Sequence, residues 1–200
     1  QMDHELSGII MRTFEESFSH AIVIQGNMDP LWPAIGLVGS NSPIKFGTSY
    51  LEDRLSKFSE LQNESVFMKS AANFQLLLVG DLKANREAFQ QYPLNTDNMP
   101  MFGFLGAKSI QPGERLRGIN YLNWVDQKFT IKDFPSLDRG SMTTESISKI
   151  IEAGKNYYAA RTYSVDLPLL TIDEQLGRAQ QAAIWYQTAK ELHPSSSLEQ

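Results

Sequence analysis

Two prolines bracket a run of short polar residues at Pro93-Leu94-Asn95-Thr96-Asp97-Asn98-Met99-Pro100. Proline interrupts helices and central strands, so no continuous element can run through this octapeptide. Asn, Thr and Asp side chains bond readily to nearby backbone groups and hold the chain in ordered turns. The octapeptide therefore predicts a rigid turn that separates a helical region before it from an extended segment at 101–105.

The first forty residues read as a helix followed by two strands. Apolar side chains recur at helical spacing after Asp3, which is a candidate N-cap with His4 as the alternative start. These side chains are Leu6, Ile9, Ile10, Thr13 (through its methyl group), Phe14 and Phe18. β-Branched residues then dominate 20–25, and a second apolar segment covers 34–39 after a loop that contains two prolines. The pattern predicts an α/β fold.

Three helices are predicted between Thr48 and Gln91. The first covers 50–58, the second covers 66–78, and the third runs from Leu82 to Phe89 with Asp81 as N-cap. The densest apolar run, 76–79, reads as the buried end of the second helix. Gly80-Asp81 then ends one helix and starts the next.

The second half of the chain is predicted to be helical. Gln111-Pro112-Gly113 marks a boundary, and 134–140 reads as a second linker. Long helices follow over 145–163, opened by Thr143 or Thr144, and over 171–192, where Thr171 and Glu174 form a capping box. The second helix resembles one helix of a tetratricopeptide repeat, but a single unit cannot bury its faces as a repeat array does. We therefore predict two units, 1–110 and 111–200, the latter a helical hairpin with a TPR-like alternative.

Composition excludes several classes of protein. The net charge of -5 and the absence of clustered basic residues argue against nucleic-acid binding. No cysteine is present, so disulfides, thiolate metal sites and cysteine nucleophiles are excluded. No apolar run approaches the about 20 residues that span a bilayer, and no signal peptide is evident. A cytoplasmic location is the expectation.

Few residues of the sequence indicate a catalytic or ligand-binding site. The glycine pairs at 36/39 and 103/106 lie in or beside predicted strands and are interpreted as structural. His4, His20 and His193 fall in separate elements without ligand spacing, so no metal site is predicted. The serines at 195–197 have no acid-base partners nearby. The aromatic residues of the C-terminal half are interpreted as packing rather than as a binding groove.

The order Pro-Leu-Asn-Thr-Asp-x-x-Pro resembles a segment near the C-terminal edge of bacterial spermidine synthase-like proteins, which are aminopropyltransferase relatives often fused to a membrane domain. The opening, Gln1-Met2-Asp3 with Glu5-Leu6 and Ile9 to Phe14, is similar to the helix that follows their glycine-rich, tryptophan-containing strand. The resemblance covers about residues 1 to 108. It implies the C-terminal edge of a Rossmann-like methyltransferase fold, with a helical C-terminal extension beyond it. The relatives usually carry an acidic residue where this chain has Gly103.

The resemblance also implies a function. The parent protein would transfer an aminopropyl group from decarboxylated S-adenosylmethionine to a diamine. Its nucleotide loop and catalytic aspartate would precede Gln1, so this chain would carry no catalytic, cofactor or metal residue of its own. Asn95, Thr96 and Asp97 are the candidate substrate-binding residues, with a structural turn as the alternative. The partners would be the rest of the parent chain, which is itself membrane-anchored in one version of this hypothesis, and a homodimer is left open.

Two other hypotheses come from different classes. The chain is either a non-catalytic interaction module whose C-terminal helices dock a partner, or a self-contained α/β enzyme with an unrecognised site.

Overall fold

The computed structural model describes residues 3–58, 60, 62, 65–100, 115–130, 133–165 and 171–197, which form a mixed α/β structure. The helices are α1 (His4–Ser17), α2 (Thr48–Ser56), α3 (Ala71–Gln75), α4 (Gly118–Lys128), α5 (Thr144–Val165) and α6 (Ile172–Leu192). Short 3-10 turns cover Val66–Met68 and Arg86–Ala88. The strands are β1 (His20–Gln25), β2 (Ile35–Ser40), β3 (Ile44–Lys45), β4 (Leu78–Asp81) and β5 (Leu137–Asp138). The predicted extended segment at 101–105 and the boundary at 111–113 lie outside the described residues.

The first helix and the first two strands are confirmed. The Asp3 carboxylate accepts a hydrogen bond from the backbone N–H of Leu6 at 2.7 Å, which caps α1 as predicted. Strands β1 and β2 pair antiparallel, with His20 opposite Ser40 and Gln25 opposite Ile35. The three-stranded sheet has the order β2-β1-β4, so β1 lies in its centre.

The helix predicted over 66–78 is wrong in its second half. Helix α3 ends at Gln75, and Leu78–Asp81 forms the fully buried strand β4, which pairs antiparallel with β1. A short, continuous apolar run fits a buried strand as well as a buried helix, and only the neighbouring strand decides between them. The helix predicted over 82–89 is also wrong, because turns and the 3-10 turn at Arg86–Ala88 occupy this stretch.

The predicted linker at 134–140 is instead part of the folded core. Strand β5 lies within it and pairs in parallel with β3. Phe134, Ser136 and Leu137 are buried. Proline, serine, aspartate and glycine are typical of loops, but here they belong to a short segment with three buried side chains.

Asp81, at the end of β4, joins this segment to the central sheet. Its Oδ2 accepts the backbone N–H of Ser136 at 2.7 Å, and its Oδ1 accepts the Ser136 hydroxyl at 2.9 Å. Oδ1 also accepts the backbone N–H groups of Lys83 and Ala84, at 2.9 and 3.2 Å. The Ser136 hydroxyl oxygen accepts the N–H of Ala21 in β1 at 3.0 Å. The Asp81 carboxylate therefore links β4 to Ser136, and Ser136 in turn links both to β1.

Burial makes Asp81 a source of pH-dependent stability. Desolvation raises the pKa of its carboxyl group, and the hydrogen bonds from Ser136, Ala84 and Lys83 only partly oppose this shift. The folded state thus binds the proton more tightly than the unfolded state. The stabilisation by Asp81 is complete at a pH below its unfolded pKa and is lost as the pH rises through its folded pKa.

We expect the stability advantage of the native chain over Asp81→Asn, which cannot titrate, to shrink as the pH rises above about 4, the ordinary pKa of an aspartate. Urea denaturation of both chains at several pH values measures this difference. Asp97→Asn, on the exposed turn, is the matched control. An advantage that grows with pH would mean that the hydrogen bonds to the carboxylate outweigh its desolvation.

The two long C-terminal helices are confirmed and form an antiparallel hairpin. Tyr157 of α5 contacts Tyr186 of α6 with ring centroids 6.0 Å apart, and Tyr163 lies against Arg178 further along the pair. Thr171 and Glu174 make the predicted capping box. The hydroxyl of Thr143 accepts the N–H of Ser146 at 3.1 Å, so Thr143 caps α5.

The buried core extends over both predicted units. The larger cluster joins Met11, Val23 and Leu76 to aromatic residues of the second half, among them Trp124, Tyr158 and Tyr186. The smaller cluster packs Ile22 and Leu78 against Phe134, Ile147 and Ile151. Helix α5 therefore packs on β4 of the sheet that the first half of the chain builds, and α6 packs on α5.

Candidate functional site

The predicted turn at 93–100 is anchored on α1. The backbone N–H of Asn95 donates to the hydroxyl of Thr13 at 2.8 Å, and the Arg12 guanidinium donates to the carbonyl oxygens of Gln90 and Tyr92. Within the turn, Thr96 and Met99 exchange two backbone hydrogen bonds, at 3.2 and 3.0 Å. Two neighbouring residues of α1, Arg12 and Thr13, thus fix the position of the turn.

The three predicted site residues differ in their surroundings. Asn95 is partly buried, whereas Thr96 and Asp97 are exposed. The Thr96 hydroxyl accepts the N–H of Met99 at 3.2 Å, so Thr96 has a structural role in the turn. Within the described part of the chain, no hydrogen bond to the Asp97 carboxylate is found. Substrate binding by these residues remains a prediction.

We expect Thr13→Val to lower the free energy of unfolding by about 1 kcal/mol, because the Asn95 N–H loses its acceptor while the side-chain shape is kept. Asp97→Ala should leave the unfolding midpoint nearly unchanged. Chemical denaturation of both variants beside the native chain measures the difference. Equal losses in both variants would mean that the Asp97 side chain also stabilises the turn.

A second candidate site, with no counterpart in the sequence predictions, is a cleft of about 340 Å³. Its described lining comes from the loop after β1, the start of α4, the end of α5 and the first half of α6. The lining residues are Pro30, Leu31, Arg117, Gly118, Ile119, Asn120, Thr162, Val165 and Arg178. We call it the α4 cleft. It brings two arginines together in a chain whose net charge is -5.

Local hydrogen bonds shape the wall of the α4 cleft. Gly118 adopts a left-handed conformation with φ of +51°, which favours glycine, and its N–H donates to the carbonyl of Pro30 at 2.9 Å. The Asp29 carboxylate accepts the N–H groups of Leu31 and Trp32, at 2.9 and 3.2 Å. Arg117 occupies the N-cap position of α4 without a side-chain cap, because a guanidinium has no acceptor for the helix N–H groups.

The rim of the α4 cleft carries exposed apolar side chains. Leu31 and Ile119 are 42% and 43% exposed, and Trp32, on the same loop, is 65% exposed. The Arg178 guanidinium lies 5.7 Å from the centroid of the Tyr163 ring. The α4 cleft therefore combines positive charge with exposed apolar side chains.

The histidines do not come together. His193 Nε2 lies 3.0 Å from the carbonyl of Ala72, which requires this nitrogen to be the donor, and burial lowers the pKa of the ring. Among the described residues no group of three His, Asp or Glu side chains is arranged to hold a metal ion. Nor does any helix in the described ranges have the length and apolar character needed to cross a membrane.

Comparison with known proteins finds no match among family models, curated proteins or solved structures.

Proposed function

We propose that this chain is the C-terminal portion of a spermidine synthase-like protein, at the edge of a Rossmann-like domain. The observation that supports this best is the contact between α1 and the turn at 93–100. These are the two segments that resemble the family. They are separated by about eighty residues in sequence, yet the Thr13 hydroxyl accepts the backbone N–H of Asn95 in the second segment. Arg12 donates to the carbonyl oxygens of Gln90 and Tyr92, just before that segment.

The arrangement of the first strands also supports the proposal. Helix α1 leads into β1 and then β2, and these strands pair antiparallel. A final antiparallel strand beside its neighbour is the pattern by which a Rossmann-like methyltransferase sheet closes. In this proposal the parallel strands, the nucleotide loop and the catalytic aspartate belong to the preceding portion of the parent.

The parent would transfer an aminopropyl group from decarboxylated S-adenosylmethionine to a diamine. The contribution of this chain would be the turn, which carries the exposed Asp97 carboxylate at the surface. A carboxylate attracts an ammonium group and orients it through charge-assisted hydrogen bonds. Asp97 is in this proposal a substrate-binding residue, with Asn95 and Thr96 beside it.

The test compares this chain with the parent-length protein. Calorimetric titration with methylthioadenosine should show no micromolar binding to the chain alone and clear binding to the parent. In the parent, Asp97→Ala should raise the KM for the diamine several-fold, while Asn98→Ala in the same turn leaves it unchanged. Micromolar binding of methylthioadenosine to the chain alone would overturn the proposal and favour a self-contained enzyme.

One observation favours the alternative of an interaction module. Leu176 and Ile184 of α6 are each 58% exposed, and no atom lies within 4 Å of the position that a Cβ on Gly177 would take. Part of α6 is therefore uncovered and available for contact with another protein. The truncation argued at the end of the Discussion separates this alternative from the first proposal.

A further inference from the structure

We propose that residues 193–197 form a clasp between α6 and α3 that is closed at neutral pH and opens in mildly acidic solution while the rest of the protein stays folded. We call this segment the C-terminal clasp. The proposal is independent of the parent assignment, because no residue of the clasp belongs to the part of the chain that resembles the family.

The first contact of the clasp is with Asn73 of α3, whose side chain is fully buried. The Asn73 Oδ1 accepts the backbone N–H of Ser197 at 2.8 Å, and its Nδ2 donates to the Ser197 hydroxyl at 3.4 Å. The same Nδ2 donates to the carbonyl oxygen of Val66 at 2.8 Å, which fixes the orientation of the amide group. The Asn73 side chain is therefore held in place to bind the end of the clasp.

The second contact is made by His193, which follows α6 directly. Its Nε2 donates to the carbonyl oxygen of Ala72 at 3.0 Å. Helix α3 ends at Gln75, so this carbonyl lies in the last turn, where helix carbonyls lack intrahelical partners. The backbone N–H and the hydroxyl of Ser196 both donate to the His193 carbonyl, at 3.1 and 2.9 Å, and turn the chain back towards α3.

The clasp has a much weaker hold than the helix that precedes it. Three hydrogen bonds join it to α3 among the described residues, and its sequence, His-Pro-Ser-Ser-Ser, contains no large apolar side chain. Helix α6, by contrast, places Tyr186 and Ala189 in the larger core cluster. Segments with few buried apolar contacts open at a much lower free energy than the core does. A modest penalty on the closed clasp therefore opens it without unfolding the protein.

Protonation of His193 supplies such a penalty. Burial lowers the pKa of its ring, and the hydrogen bond to Ala72 only partly opposes this shift. The closed clasp thus binds the proton less tightly than the open one. The stabilisation of the closed clasp is fully present above the open-state pKa, about 6.5, and is lost as the pH falls through the lower closed-state pKa.

No charged neighbour holds the protonated ring in the closed clasp. The charged side chains on the elements around it are Lys190 and Glu191 of α6, Glu52 of α2 and Lys69 before α3. Glu191 accepts a hydrogen bond from Gln187, and Glu52 accepts the backbone N–H of Ala71. No ion pair in the described part of the chain includes His193. The imidazolium is therefore better solvated when the clasp is open.

The test follows the full ¹⁵N-labelled chain by NMR from about pH 8 to about pH 4.5. The heteronuclear NOE of the Ser196 and Ser197 amides reports the order of the clasp, the ring signals of His193 report its protonation, and the β1 amides report the sheet. We expect the clasp NOE to fall to that of a mobile backbone as the ring protonates, while the β1 amides keep their shifts. The ring should titrate at a lower pH than in the same chain unfolded in urea.

Three outcomes would overturn the proposal. They are an ordered clasp around a protonated ring, a ring that titrates no lower than in urea, and loss of the β1 signals together with those of the clasp.

Variants of His193 assign the effect to its ring. His193→Gln keeps a side-chain N–H donor but cannot titrate, so its clasp should stay ordered over the whole pH range. His4→Gln, the same change on α1, is the matched control and should open with acid as the native chain does. If His193→Gln opens like the native chain, a different group controls the clasp and the proposal is wrong.

Variants of Ser197 test the contact with Asn73. Ser197→Pro removes the N–H that donates to Asn73, so the clasp should be open at neutral pH and the pKa of His193 should rise towards its value in urea. Ser197→Ala keeps this N–H and should remain closed. An ordered clasp in Ser197→Pro at neutral pH would contradict the proposal.

Discussion

Gly154→Ala should destabilise the protein by about 3 kcal/mol or more, the upper range for overpacking a core. Gly154 lies in the middle of α5, where the helix passes the segment between α3 and β4. A Cβ atom at this position would lie 2.2 Å from the carbonyl oxygen of Leu76. Because the obstructing atom belongs to the backbone, it cannot rotate away as a flexible side chain would. The helix and the start of β4 would have to separate.

Gly177→Ala is the matched control, since it makes the same substitution within α6. Nothing lies within 4 Å of the Cβ that it would add. Alanine is the better helix former, so this variant should gain about 0.5 to 1 kcal/mol. Urea denaturation followed by circular dichroism measures both variants. If both stabilise the chain, α5 is not held as close to Leu76 as the structure shows.

The elements that could be predicted from sequence are those with local signals. Asp3 at the start of α1 and the Thr171–Glu174 pair at the start of α6 lie within three residues of the groups that they cap, so short patterns identify them. The same holds for the turn at 93–100, whose bonds join neighbours. Its partner outside the turn is not local, because the acceptor for the Asn95 N–H is the Thr13 hydroxyl, on a helix far away in sequence.

The elements that could not be predicted depend on distant partners. Strand β4 is a strand because β1 offers it a free edge, and β5 exists because β3 lies beside it. Ser136 lies in a segment with the composition of a linker, yet it is buried and forms hydrogen bonds with Asp81 and Ala21. No window of the sequence contains both members of any of these pairs.

The α4 cleft depends even more strongly on residues that are distant in sequence. Four separate segments line it, and each contributes one to four residues with no motif of its own. The sequence signal that points to it is Arg117-Gly118 at the start of a helix, and this signal is far too common to identify a site.

A chain that ends at Gln111 should fail to fold cooperatively. It would lose Trp124 and Tyr158 from the larger cluster, and Ile147 and Ile151 from the smaller one. Truncating one buried aromatic residue in a core costs about 3 to 5 kcal/mol, and the total stability of a domain is only about 5 to 15 kcal/mol. The loss of several such residues exceeds what the remaining sheet can sustain.

The shortened chain would also lose buried hydrogen bonds. Removing Ser136 leaves the buried Asp81 carboxylate without two of its hydrogen bonds and the Ala21 N–H without its acceptor. The edge of β3 loses β5, its parallel partner. Such buried groups without partners penalise the shortened chain further, beyond the apolar surface that it would expose.

Thermal unfolding and light scattering of three chains test this expectation. The chain ending at Gln111 should aggregate or show no unfolding transition, whereas a chain ending at Ser197 should match the full one. A chain ending at Val165, which lacks only α6 and the residues around it, should fold with a lowered Tm, because Tyr157 loses its contact with Tyr186. If instead the chain ending at Gln111 stays monomeric with an unchanged Tm, the C-terminal helices are not needed by the sheet. In that case they form an independent unit, and the interaction module becomes the better account of what this half of the chain does.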